Sequence, residues 1–305
     1  MATHTNRRTG FTLIELLVVI ALIATLAAIT AGAFMRVRAG QTKAASEATL
    51  QKLGSALENR RTAIIQSVKE DAEKNQGQWP NALAMANGNP ELAKSLLLYA
   101  KMKNELPMSF AEAKAPTVLK FNAADTIFIV LPARASFGAL PVSAASSEEQ
   151  SAICFYLAVS TSAGGGAMLD SEGLQFQTTD SAAFPGFKVF KDAWGSPIAF
   201  VRQVYTPEVN VAPYIKAGQL KDPFDPGSKL SAVMTPYLWQ CMTINMPAVA
   251  GVPATYPAPV QNFVATLVSA GPDKVFTTGT YNLFGGVNND NLLSDRLRRD
   301  GAKGD

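Results

Sequence analysis

From Leu16 to Met35 the chain carries no charged side chain, and a single carboxylate, Glu15, stands directly before that run. A helix of about 20 apolar residues is long enough to cross the roughly 30 Å hydrocarbon core of a bilayer. A charge inside such a segment costs about 2.5–3.5 kcal/mol on insertion scales, so a carboxylate there is expected to be functional and to have a partner. The run restricts the fold at once. This stretch is a helix that ends in lipid or inside protein, and the remaining residues have to fold around or beyond it.

An ordinary secretory signal has a basic start, a short apolar stretch and a small-residue cleavage site after that stretch. Here the basic start is Arg7 and Arg8, but no A-x-A-like site closes the run before Arg36 and Arg38. The small residue at a boundary is Gly10, which precedes the run. Cutting there removes the charged leader and leaves the apolar helix on the mature chain.

The segment Gly10-Phe11-Thr12-Leu13-Ile14-Glu15 resembles the class III signal of type IV pilins and type II secretion pseudopilins. The resemblance implies cleavage after Gly10 by prepilin peptidase and methylation of the new N-terminal amine on Phe11. It makes Glu15 the acidic fifth residue of the mature chain, which pairs with the N-terminal ammonium of a neighbouring subunit during assembly. Such a partner is physically apt, because an opposite charge within hydrogen-bond reach offsets desolvation. The alternative is a plain N-terminal anchor whose Glu15 snorkels to the interface, which leaves Gly10-Phe11 unexplained. On either reading Arg7 and Arg8 hold the leader in the cytoplasm and the rest is exported.

The chain has 305 residues and a net charge of +3. Loss of Arg7 and Arg8 with the leader takes the side-chain charge from +3 to +1, so nothing supports a nucleic-acid partner. The one histidine, His4, lies in the leader, which removes histidine-based triads and most metal-catalytic sites from the mature chain. Cys154 and Cys241 would face an oxidising periplasm, where a bridge closing so long a loop stabilises by about 4 kcal/mol in the chain-entropy model. Two separate buried thiols are the alternative. No nucleophile elbow, catalytic acid pair or metal cluster is visible, so no enzyme is expected; Asp170 and Glu172 read as solvated loop residues.

The expected fold class is α+β: a long N-terminal helix, membrane-spanning in its first half, packed on a small antiparallel sheet head, as in pilins. Residues 1–10 form the leader, 11–35 the transmembrane and polymerisation helix, and 36–76 its periplasmic continuation. Leu50, Leu53, Leu57, Ile64 and Val68 recur at helical spacing, and Gly77 and Pro80 supply stop signals, giving one helix of about 95 Å to Lys74. Gly32 stands where many pilin relatives have a proline, and predicts either local loosening or close packing.

Residues 77–187 read as an inserted mixed α/β region. Asn89-Pro90-Glu91 opens a helix to about Leu106, Ser109 with Glu112 makes a capping box, and Ser147 to Gln150 makes another before a helix at 151–160. Thr126–Leu131 reads as a strand. Gly164-Gly165-Gly166 is a loop without the context of a phosphate cradle. Residues 188–305 predict an antiparallel sheet, with strands at 187–190, 198–202, 237–244 and 263–269.

Two C-terminal patterns extend the resemblance. Asp192-Ala193-Trp194-Gly195-Ser196-Pro197 resembles the D-x-W-G-x-P hairpin of the type II secretion major pseudopilin. Val268 to Lys274, followed by Asn288 to Ser294, resembles that protein's calcium-wrapping loop and implies Asp273, Asp290, Asn291 and Ser294 as ligands. Calcium takes six to eight oxygens from such groups. Lys274 and the asparagines depart from an acid-rich site, and an Asn/Asp/Gly turn bonded to its own backbone is the alternative.

The resemblance thus implies a structural pseudopilin that polymerises with itself and with other pseudopilins into a periplasmic fibre. Its implied partners are the prepilin peptidase, an inner-membrane platform and a cytoplasmic ATPase. A type IV pilus subunit or a minor tip subunit with a binding head is the second reading.

Overall fold

The computed structural model describes residues 13–141, 148–160, 178–202, 225, 229–242, 265–276 and 292–294. It divides into two units at Ala44/Ala45, and helix α1 (Leu13–Lys74) contributes to both. In the first unit α1 is unbroken through Gly32, where an added Cβ would meet nothing within 4 Å, so neither a break nor close packing occurs there within the chain.

In the second unit α1 buries Ser46, Leu50, Leu53, Leu57, Arg61, Ile64 and Val68, one residue every three or four, which is the stripe of a helix laid on a core. Burial of five aliphatic side chains at about 1.5–3 kcal/mol each makes this stripe a main support of the head. The helix ends in a Schellman motif: Asn75 takes a left-handed conformation (φ 49°), and the Gln76 N–H donates to the Asp71 carbonyl at 3.0 Å. Gly77 is also left-handed, and a Cβ there would lie 3.2 Å from the Asp71 carboxylate. Pro80 is therefore not the stop. It opens a separate helix α2 (Trp79–Met85), where its missing N–H costs nothing.

Helix α3 (Pro90–Glu105) follows, with Asn89 Oδ1 accepting from the Glu91 and Leu92 N–H groups as N-cap. Short α4 (Phe110–Lys114) is capped by Ser109, whose Oγ accepts from the Glu112 N–H at 3.2 Å. Strands β1 (Thr117–Leu119) and β2 (Ile129–Leu131) pair antiparallel, Thr117 opposite Leu131. Helix α5 (Glu148–Ser160) begins three residues earlier than the pattern predicts. Ser147, the other half of the expected capping box, lies outside the described residues; Gln150 is buried and accepts from the Phe110 N–H at 3.1 Å.

Among the described residues after α5, the strands pair antiparallel. β3 (Thr178–Asp180) pairs with β4 (Lys188–Phe190), while β5 (Ala199–Val201), β6 (Thr266–Ser269) and β7 (Leu292–Leu293) form a three-stranded sheet with β6 central. Helix α5 packs on β4 and β5. The Phe155 ring stacks on Phe200 at 5.4 Å and meets Phe190 edge-on at 5.9 Å, and Ser151 Oγ accepts from the Phe200 N–H. One expected strand is wrong: the segment from Tyr237 lies in helix α6 (Pro236–Met242), started by Thr235 Oγ1, which accepts from the Leu238 N–H at 3.0 Å. Its β-prone side chains yielded to that cap and to contacts with β1 and α3.

Candidate functional site

The N-terminal stretch of α1 is apolar on every face. Fourteen large apolar side chains between Leu13 and Val37 are exposed, from Leu13 at 82% to Val19 at 43%. A helix hydrophobic all round belongs in a membrane or a core. At about 1.5–3 kcal/mol each, leaving these side chains in water would forgo some 20–40 kcal/mol, more than the 5–15 kcal/mol that holds a typical domain folded. The hydroxyls within the run are closed internally: Thr25 Oγ1 donates to the Leu22 carbonyl at 2.8 Å and Thr30 Oγ1 to the Leu26 carbonyl at 2.9 Å. No water is needed to satisfy them. Glu15 lies in the first turn, exposed, where the helix dipole favours a negative charge. Gly10 and Phe11 lie outside the described residues.

In the head, the 192–197 hairpin turn joins the sheet to α1. Gly195 is left-handed (φ 90°), and Lys191 and Pro197 face each other across the turn. Asp192 is buried; its Oδ1 accepts from the Trp194 and Ser196 N–H groups at 3.0 and 2.9 Å. Its Oδ2 accepts from the Ser269 hydroxyl on β6 at 2.6 Å. The next residue, Ala193, donates its N–H to Ser46 Oγ on α1 at 3.0 Å. Trp194 packs against the core from a half-buried position, as its pattern implied. Ser46 was not legible, because a serine among alanines carries no periodic signal.

A second polar cluster lies beneath α4. Arg202 is almost fully buried and pairs bidentately with Glu112, at 2.8 Å to Oε1 and 3.0 Å to Oε2, and donates to the Leu106 carbonyl at 2.9 Å. Glu112 Oε2 also accepts from the Met108 N–H at 2.7 Å. Burial alone would raise the Glu112 carboxyl, but the Arg202 guanidinium and then the Lys103 ammonium outweigh it and hold it below its ordinary value. Burial pushes the Lys103 ammonium down, against the raising pull of Glu112. The capping box made Glu112 visible, but no local pattern shows a partner 90 residues away.

The cysteines are unbridged. Cys154 lies buried in α5 and Cys241 is half-buried in α6, so the possible disulfide gives way to two free thiols. Burial, and then the Glu112 charge, push the Cys154 thiol far up.

Of the implied calcium ligands, Asp290 and Asn291 lie outside the described residues. Asp273 is exposed in the turn after β6, its Oδ1 accepting from the Val275 N–H at 2.8 Å. Ser294 is buried: its N–H donates to the Leu267 carbonyl at 2.9 Å, and a Cβ added at Gly54 of α1 would lie 3.7 Å from the Ser294 Cβ. It continues β7 inside the core. Among the described residues no group of three or more acidic, histidine or cysteine side chains converges.

Residues 5–31 match the family model described as the prokaryotic N-terminal methylation motif. No curated protein and no solved structure matches the chain. Residues 5–31 thus carry a prepilin-type methylation motif, and the helix that begins within them is long and apolar enough to cross a membrane.

Proposed function

We propose that the chain is a non-catalytic subunit of a type II secretion fibre, cut after Gly10, N-methylated at Phe11 and assembled from the inner membrane with its head in the periplasm. The observation that carries this reading is the all-round apolar helix headed by Glu15, within the segment that matches the methylation motif. Lipid satisfies the apolar faces before assembly and neighbouring α1 helices satisfy them afterwards. Glu15 sets the register by meeting the Phe11 ammonium of the adjacent subunit, a pair of opposite charges in a water-poor core. The Asp192-to-Pro197 hairpin, tied to α1 through Ser46, supports secretion over a surface pilus as the fibre's role.

Replacing Glu15 by alanine tests the assembly role. Leader cleavage should proceed and fibres should be absent; wild-type fibres from E15A would remove the salt bridge from the mechanism. Calcium belongs to the proposal through Asp273, Asp290, Asn291 and Ser294. Chelation should then lower the melting temperature of the wild-type head and leave that of Asp290→Ala unchanged. An unchanged wild-type melt would take the ion out of the proposal.

A further inference from the structure

Directly beyond its apolar run, α1 carries three cations, Arg36, Arg38 and Lys43, and all three are exposed. No carboxylate lies between Glu15 and Glu47 in the sequence, so this stretch has no acid of its own. Among the described residues no ion pair engages any of the three side chains. The hydrogen bond from Thr42 Oγ1 at 2.9 Å goes to the Arg38 carbonyl and leaves the guanidinium unused. An α-helix turns once in 3.6 residues and rises 1.5 Å per residue, so Arg36 and Lys43 share a face and Arg38 stands on the opposite one. Positive charge therefore lies on both sides of the helix within about 10 Å of its length.

The charge-free run from Leu16 to Met35 matches the hydrocarbon core in length, and the interfacial layer outside that core is about 5–8 Å thick on each side. With the run across the core, the three cations start at the depth of the lipid phosphates. Exposed Phe34, Met35 and Val37 interleave with the arginines. In that pattern an aliphatic stem stays in the apolar layer while its charged end reaches the interface. A guanidinium there can take a phosphate through two parallel hydrogen bonds.

We infer that Arg36, Arg38 and Lys43 form a collar that binds anionic phospholipid headgroups at the end of the apolar run away from the leader. A headgroup of net negative charge is preferred over a zwitterionic one, whose own ammonium competes with the collar. The inference rests on the reading that α1 spans a membrane. Its consequence is that lipid fixes the depth of the unassembled helix from the end opposite Glu15.

The test is native mass spectrometry of the full-length protein released from nanodiscs of equal phosphatidylglycerol and phosphatidylcholine with identical acyl chains. Each lysine or arginine near an anionic surface contributes about fivefold in affinity, so retained phosphatidylglycerol should exceed phosphatidylcholine by at least about tenfold. Combining Arg36→Gln, Arg38→Gln and Lys43→Gln should lower that ratio by at least about tenfold, with the melting temperature of the head unmoved. Arg36→Lys with Arg38→Lys should keep most of the preference. Lys69→Gln, in the part of α1 that packs on the head, should leave it unchanged. Equal retention of the two lipids, or an unaltered ratio in the triple variant, would overturn the collar and leave the membrane helix in place. Loss of fibres in that variant with the ratio unaltered would assign the cations to a neighbouring subunit's carboxylates instead. A protein that fails to enter the nanodisc would overturn the spanning helix and the collar together.

Discussion

The two halves of one helix obey opposite rules. From Leu13 to Val37, α1 turns large apolar side chains outward on every face; from Ser46 to Val68 it buries a single stripe and gives the other face to Lys52, Glu58 and Lys69. The same backbone geometry serves both, so the difference lies wholly in side-chain pattern. All-round hydrophobicity leaves satisfaction to lipid or to other copies, whereas a 3.6-residue stripe is satisfied within the chain. Intermolecular function is encoded where intramolecular packing is missing.

This contrast can be broken from either side. The largest expected effect is E15A: complete loss of fibres, with the melting temperature of the head unchanged, checked by electron microscopy and thermal unfolding. Next is the buried ion pair. Removing one partner, as in Arg202→Met, should destabilise the head by about 3–5 kcal/mol by leaving Glu112 uncompensated, measured by denaturant unfolding. Leu53→Ala should cost about 2–5 kcal/mol in the same measurement. Leu22→Ala, an equal truncation in the other half, should change head stability by less than about 0.5 kcal/mol. Equal costs for the two leucines would erase the distinction between the halves.

Acid should act on the head through Glu112. Its carboxyl is depressed in the folded state, so its contribution is present above the ordinary carboxylate range and is lost as pH falls through the folded value. Arg202→Met should therefore show a smaller loss of stability on acidification than the wild type. The smallest effect is chemical: a maleimide should label Cys241 in the native protein and spare Cys154, whose thiol is buried and pushed up.

Much of this organisation was legible because it is periodic or local. The stripe from Leu50 to Val68, the Asn89 cap and the Asp192 hairpin are short-range patterns with one good structural solution each. The errors share a different cause. Tyr237 to Met242 has strand-like side chains, yet one hydroxyl cap and its packing decided for helix. Pro80 reads as a stop, but the left-handed Asn75 had already ended α1, and Pro80 opens α2. Ser46, Arg202 and Lys103 act through partners far along the chain, and no spacing in the sequence announces such contacts.

The central claim is that the exposed half of α1 is a processed assembly helix. Mass spectrometry of the membrane-extracted protein tests it most directly. A mature N-terminus at Phe11 bearing a methyl group is the predicted result; an intact leader, or cleavage after the apolar run, would contradict it.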